Sequence, residues 1–178
     1  NVTRTNCINQ NTGNQAFGRV ITGIYVDKND PNHVLVTCGN YDRSSPSVFR
    51  STDGVNFAPI SNNLPDMPVY DGIIDFYNPD NYLIATELGM WSSNDAGATW
   101  TEENDDICRT PVFSLRQEPL YEEGCQVIYA GTHGRGFFRT TTLTAGGCNL
   151  VASNNPGPEV PEFDFQVFPN PAINEAWV

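Results

Sequence analysis

An all-β fold is what this sequence predicts, on three observations. Its apolar runs are short and rich in β-branched and aromatic residues. Asn, Asp, Gly and Pro bound those runs, with 15 Gly and 13 Pro in 178 residues. No stretch repeats its apolar positions with the 3.6-residue period of a helix, whereas short runs between turn-forming residues are the mark of strands.

The runs themselves repeat. "VITGIYVDKNDPNHVLVTCGNYDRSSPSVFRSTDGVNF" (20–57), "VYDGIIDFYNPDNYLIATELGMWSSNDAGATW" (69–100) and "PVFSLRQEPLYEEGCQVIYAGTHGRGFFRTTTL" (111–143) align by eye. Each has an apolar strand, a turn of Asp, Asn or Pro, a second strand, a short loop and a third strand. The third strands end Phe49-Arg50-Ser51, Trp91-Ser92-Ser93 and Phe138-Arg139-Thr140. In the first two units a fourth strand follows, starting at Phe57 or Trp100. The spacing is 42 residues from Phe49 to Trp91 and 47 from Trp91 to Phe138. Four short antiparallel strands at that period predict blades of a β-propeller.

Each element has a local reason. Asp30-Pro31-Asn32 and Asn78-Pro79-Asp80-Asn81 preset φ with proline and let Asn or Asp turn the chain, so they join first strand to second. "HVLVT", "YLIAT" and "QVIYA" are continuous rather than alternating, as a strand covered on both faces requires. The predicted blades span 20–68, 69–110 and 111–147, and 1–19 is the end of a preceding blade or a connecting segment. Propellers typically need four to eight blades. Three cannot close a ring, so these are expected to be the last blades of a larger propeller. Residues 148–164 are rich in Gly, Pro and Asn and read as a linker.

Composition narrows the function. The formal charge is −12, from 21 acidic and 9 basic residues. Nucleic-acid phosphates and anionic membrane surfaces both call for Lys and Arg, so neither is an expected partner. No apolar run reaches the roughly 18 residues that span a bilayer, so no direct membrane insertion is expected. "NVTRTNCINQNTGNQ" reads as the middle of something, so a targeting segment is expected elsewhere. The cysteines are Cys7, Cys38, Cys108, Cys125 and Cys148, without the close spacing of a zinc site. An acidic, Asn-rich β protein suits an extracellular setting, where disulfides persist. Cys108 with Cys125 is the favoured pair, since both flank one predicted strand; isolated buried thiols are the alternative. His33 and His133 are the two histidines, neither with metal-ligand company, and no EF-hand-like spacing occurs. No metal and no cofactor is expected.

"SNDAGATW" carries Ser93, Asp95, Gly97, Thr99 and Trp100 in the spacing S-x-D-x-G-x-T-W. It resembles the Asp-box of sialidase-like (BNR-type) repeats. "STDGVNF", with Ser51, Asp53, Gly54 and Phe57, resembles a shortened copy, and "RTTTLTAGG" in the third unit has lost it. "YAGTHGRGFFRT" resembles the last blade of secreted propellers related to sortilin and to xyloglucanase-type glycoside hydrolases. A serine beside an aspartate invites a catalytic assignment, but no His or Lys stands near to act as base. The expected role is a turn clamp. The carboxylate accepts backbone N–H groups of its own turn, Gly takes positive φ, and Trp covers the hairpin. No catalytic residue is assigned.

In a four-stranded antiparallel blade the loops alternate between two rims, so the Asp-box hairpin lies with the Asp-Pro-Asn turns. The resemblance implies that ligands bind at the opposite rim. The candidates there are Tyr41, Asp42 and Arg43 in "GNYDRSSP", Glu87 in "TELG", His133 and Arg135 in "THGRG", and Asp105, Asp106 and Arg109 in a link. Asp71 is read as a link residue as well. Carboxylates with an Arg and an aromatic suit a sugar or a peptide, and glycoside hydrolysis uses a separated carboxylate pair. The bland readings are a glycine-permitted hairpin around Arg135 and solvated charges at Glu87, Asp105 and Asp106.

"FQVFPNPAINEAWV" (165–178) resembles the opening of the type A C-terminal sorting domain of Bacteroidetes type IX secretion cargo. Val167, Phe168, Pro169, Asn170, Pro171, Ala172 and Asn174 match its pattern. The resemblance implies the first strand of a small, here truncated, β-sandwich, export by the type IX secretion machinery, and a secreted or outer-cell-surface location. Three functions follow as expectations: a non-catalytic scaffold binding a glycan or a surface protein, the end of a glycoside hydrolase with its acids upstream, or an accessory part of the secretion or gliding apparatus.

Overall fold

The structure, a computed structural model, describes residues 7–9, 12–13, 17–41, 44–104, 107–119 and 126–140. Among them are twelve strands and no helix. β2 (Ile21–Val26), β3 (Val34–Cys38), β4 (Val48–Ser51) and β5 (Asn56–Pro59) form an antiparallel meander. β6 (Val69–Ile74), β7 (Tyr82–Thr86), β8 (Gly89–Ser93) and β9 (Thr101–Glu102) form the second. β10 (Val112–Pro119), β11 (Gln126–Thr132) and β12 (Phe137–Thr140) form the third. β1 (Ile8–Asn9) adds to the first sheet by parallel pairing with β5 at its outer edge.

Register bears out the repeat. Phe49, Trp91 and Phe138 stand opposite Val36, Ile84 and Ala130, the same place in each sheet. The middle strands β3 and β7 are buried along their whole length, because each sheet packs face to face on the next. Leu35 and Val48 of the first sheet meet Ile74, Tyr82 and Ile84 of the second. Ile73, Leu83 and Ala85 on the second sheet's other face meet Leu115, Ile128 and Ala130 of the third. The first strands β2, β6 and β10 lie side by side at the inner edge. Sheets stacked radially with their first strands innermost are consecutive β-propeller blades.

The close approach of β2, β3 and β6 has a glycine at its centre. A Cβ on Gly72 would stand 3.0 Å from Leu35 Cδ2 and from Thr37 Cγ2. On the far side of the first sheet, Val34, Val36, Cys38, Phe49 and Phe57 make a third cluster. Phe17 covers part of it, edge-on to Phe49 and Phe57 at 5.1 and 5.2 Å.

Cys108 is an exposed free thiol, so the expected Cys108–Cys125 bridge is not made; Cys125 itself lies outside the described residues. Cys108 precedes β10, whereas Gln126, which follows Cys125 in the sequence, pairs with Pro119 at the far end of that strand. Eight extended residues separate its ends by more than 20 Å, and bridged Cα atoms lie within about 7 Å. The linker 148–164 and the sorting-motif residues 165–178 also lie outside the described residues.

Candidate binding rim

Backbone bonds sort the loops into two rims. At one, Gly54 N–H donates to the Asn32 carbonyl at 3.0 Å and Ala96 N–H to the Asp80 carbonyl at 2.9 Å. The β4–β5 and β8–β9 hairpins therefore sit with the Asp-Pro-Asn turns. At the other rim, Gly39 N–H donates to Val20, Glu87 N–H to Pro68 and His133 N–H to Pro111, all backbone carbonyls at 2.8 to 3.1 Å. The same bond recurs in each sheet and carries the second hairpin back to the start of the first strand.

The hairpin rim is chemically closed. Asp95 Oδ1 accepts Thr99 N–H and Ser93 Oγ–H, both at 2.8 Å, and Oδ2 accepts Thr99 Oγ1–H at 2.6 Å. Those bonds, Thr99 foremost, hold the Asp95 carboxyl down at about 2. Ser93 Oγ in turn accepts Gly97 N–H at 2.9 Å. Gly97 has φ +85°, and a Cβ there would meet Ile60 Cδ1 at 2.5 Å. Trp100 is 3 % exposed, and its Nε1–H donates to the Ile60 carbonyl at 2.7 Å, which ties the hairpin to the first sheet. The shorter hairpin repeats the scheme. Asp53 Oδ1 accepts Val55 and Asn56 N–H, and Oδ2 accepts Asn56 Nδ2–H. The Asn56 bonds chiefly hold this carboxyl well below the usual carboxylate range. Ser51 Oγ accepts Gly54 N–H at 2.9 Å, and Phe57 is buried. The Ser93, Thr99 and Ser51 hydroxyls donate to carboxylates that the same turns hold below the usual range, which suits turn clamps rather than activated nucleophiles.

The opposite rim is open and aromatic. A bulge interrupts each first strand at the same place, between Ile21 and Gly23, Val69 and Asp71, and Val112 and Ser114. It frees Thr22, Tyr70 and Phe113 from the ladder, and a bulge re-aims the side chain it carries. Tyr70 and Phe113 meet edge to face at 4.8 Å, and Phe113 meets His133 at 5.6 Å. Tyr41, in the loop after β3, is 63 % exposed on the same rim. The Tyr70 hydroxyl donates to Glu87 Oε2. Burial first, then the Glu87 carboxylate, pushes it up to about 12. Thr86 Oγ1 fixes the turn that carries Glu87, donating to the Gly89 carbonyl and accepting Leu88 N–H.

Of the sequence candidates, Glu87 and His133 thus gather around Tyr70 and Phe113, and Tyr41 is exposed on the same rim. Arg109 is exposed and forms a two-pronged bond to Glu102, at 2.7 and 2.8 Å. Arg109 chiefly, then Asn104, holds Glu102 at about 2, too low for a general acid at neutral pH. Arg135 donates to the Ile107 carbonyl at 3.4 Å. Asp42, Arg43, Asp105 and Asp106 lie outside the described residues. Asp71 is not a link residue. It lies within β6, and its Oδ2 accepts Leu115 N–H and Arg116 Nη1–H on the third sheet at 2.9 and 3.0 Å.

Tyr70 and Phe113 are what reading the sequence missed. A signal existed, since both follow Val at the start of a first strand in the aligned repeat. Beside Tyr41 on this rim, a cleft of about 550 Å³ opens between Ser44, Ser45 and Pro46 and the Ser61–Asp66 link, with the Arg19–Asp66 ion pair (3.0 Å) in its wall. Among the described residues no three His, Cys, Asp or Glu side chains are grouped to hold a metal ion.

No protein-family model matches the chain, and no curated protein matches it by sequence. Solved structures do resemble it. A GH74 xyloglucanase from Xanthomonas campestris is 14 % identical with TM-score 0.48, over 66 % of this chain and 20 % of that one. An ancestral GH74 enzyme is 19 % identical with TM-score 0.47, over 71 % and 19 %. YCF48 from Cyanidioschyzon merolae is 16 % identical with TM-score 0.40, over 68 % and 36 %. The chain spans about a fifth of the two enzymes and about a third of YCF48.

Proposed function

We propose that this chain is part of an exported, surface-located β-propeller protein whose open rim binds a glycan without cleaving it. One observation carries the reading: Tyr70, Phe113 and His133 form a row of ring contacts across two consecutive sheets, on a rim where Tyr41 is also exposed. Contiguous exposed apolar side chains mark interaction sites. Aromatic faces with a carboxylate at their side suit the C–H faces and hydroxyls of sugar rings. Among the described residues of this rim, Glu87 receives the Tyr70 hydroxyl and Glu102 is bound by Arg109, which favours binding over hydrolysis. The Val167–Asn174 motif supports export through the type IX machinery, and the Ser93–Trp100 and Ser51–Phe57 hairpins read as Asp-box clamps.

The test is a glycan array on the full-length protein, with polysaccharide hydrolysis followed in parallel. Binding to a glycan class is expected, with Phe113→Ala and Tyr41→Ala each weakening it about tenfold or more and no cleavage detected. Cleavage that disappears in Glu87→Gln would establish an enzyme instead. Binding to surface proteins alone would replace the glycan as ligand.

A further inference from the structure

In the seam between the second and third sheets, two buried side-chain oxygens of residues that line one cavity have no hydrogen-bond partner. Asp75, after β6, is 5 % exposed. Its Oδ1 accepts Tyr77 N–H at 2.8 Å and Asn78 N–H at 3.3 Å, while Oδ2 is buried and unpartnered. Gln117 on β10 spends its Nε2 on the Ile74 carbonyl at 3.1 Å and the Tyr25 hydroxyl at 3.5 Å. Its Oε1 is likewise buried and unpartnered. Both residues line one cavity of about 10 Å³, with Asn81 and Tyr82 in its wall.

The seam between the first and second sheets fills the matching position with protein. Asp27 N–H donates to the His33 carbonyl and Asp75 N–H to the Asn81 carbonyl, each at 2.9 Å. Asn81 therefore stands where His33 stands. The His33 ring bridges Asp27 Oδ2 at 3.1 Å and the Tyr82 hydroxyl at 2.8 Å. Asn81 is too short to do the same, and its Oδ1 is engaged by Asn78 Nδ2 at 3.2 Å. The place of Tyr82, opposite Ile74, is taken in the third sheet by Ile128, opposite Gln117, which brings no hydroxyl.

We infer that this cavity is a binding site for one water molecule, which donates to Asp75 Oδ2 and Gln117 Oε1. It does in the second seam what the His33 ring does in the first. Buried acceptors need donors. A water needs roughly 10–15 Å³ and two to four polar partners, and the cavity supplies that volume and two acceptors. A calcium ion takes about six to eight oxygens, several more than the two unpartnered oxygens at this cavity. The site lies toward the hairpin rim, so it is independent of the glycan reading.

High-resolution crystallography of the full-length protein is the direct test, with melting curves as a second measurement. One ordered water within hydrogen-bond distance of both oxygens is expected. In Asn81→His the new ring nitrogen should replace that water and raise the melting temperature by about 2 °C. Sodium, potassium and calcium chlorides should shift the wild-type midpoint no more than choline chloride at equal ionic strength. A saturable, cation-specific rise that Asp75→Asn abolishes would overturn the water assignment. So would a wild-type structure in which protein donors reach both oxygens and no water lies between them.

Discussion

The two rims of these sheets are built from different loops of one repeat, and they spend their side chains in opposite ways. On the hairpin rim, Asp53, Asp95, Ser51 and Ser93 satisfy their own turns, and Trp100 is sealed beneath them. On the other rim, strand bulges lift Tyr70 and Phe113 out of the ladders, and Phe113 is 47 % exposed. Polar residues that look reactive can be wholly architectural, while aromatic residues that look like core can stand exposed on a rim. Local bonding decides which.

The largest effect that separates the rims is Trp100→Ala. Loss of its packing and of the Nε1–H bond to Ile60 should cost about 3–5 kcal/mol in denaturant unfolding, whereas Phe113→Ala should cost less than about 1 kcal/mol. Equal costs would break the contrast and make the aromatic row a second clamp.

Acid should act on the hairpin rim. Asp53 and Asp95 have folded-state pKa values held below the ordinary carboxylate value by donors in their own turns. Such a group contributes stability that is fully present above its unfolded value, about 4, and is lost as pH falls through its folded value. The melting midpoint should therefore hold from neutral pH to about pH 4 and decline from there toward pH 2. An Asp53→Asn, Asp95→Asn double variant should show a shallower acid decline in the same scan. An unchanged slope would mean that the turns gain nothing from the ionised form.

The smallest effect lies on the aromatic rim. Glu87→Gln removes one of the causes that raise the Tyr70 hydroxyl to about 12. Burial is the larger cause, so spectrophotometric titration, with Tyr70→Phe as reference, should show a partial drop that stays above the ordinary tyrosine value. A full return to that value would mean that the carboxylate alone sets the environment of the row.

Much of this was legible beforehand. The repeat placed Phe49, Trp91 and Phe138 in one column, and the sheets hold them in one register. Alternation of loops put the Ser93–Trp100 hairpin with the Asp-Pro-Asn turns, where Ala96 bonds Asp80. Tyr70 and Phe113 escaped because a bulge adds one residue and breaks the two-residue period by which a strand's faces are read. Asp71 was misplaced for a related reason, since strand ends are less distinct than turn signals. His33 carried no mark of its buried bonds to Asp27 and to Tyr82, 49 residues away.

By itself, then, the sequence determined the strand class, the repeat, the turns and the internal bonding of the hairpins. Each depends on residues within a few positions of one another, where composition and spacing settle the geometry. Only the tertiary structure decided which aromatic residues reach the open rim, that Cys108 stays unpaired, and that one seam is bridged by histidine while the next encloses a cavity. Those outcomes depend on bulges and on the stacking of one sheet against the next, and contacts some 40 to 50 residues apart leave no local pattern to read.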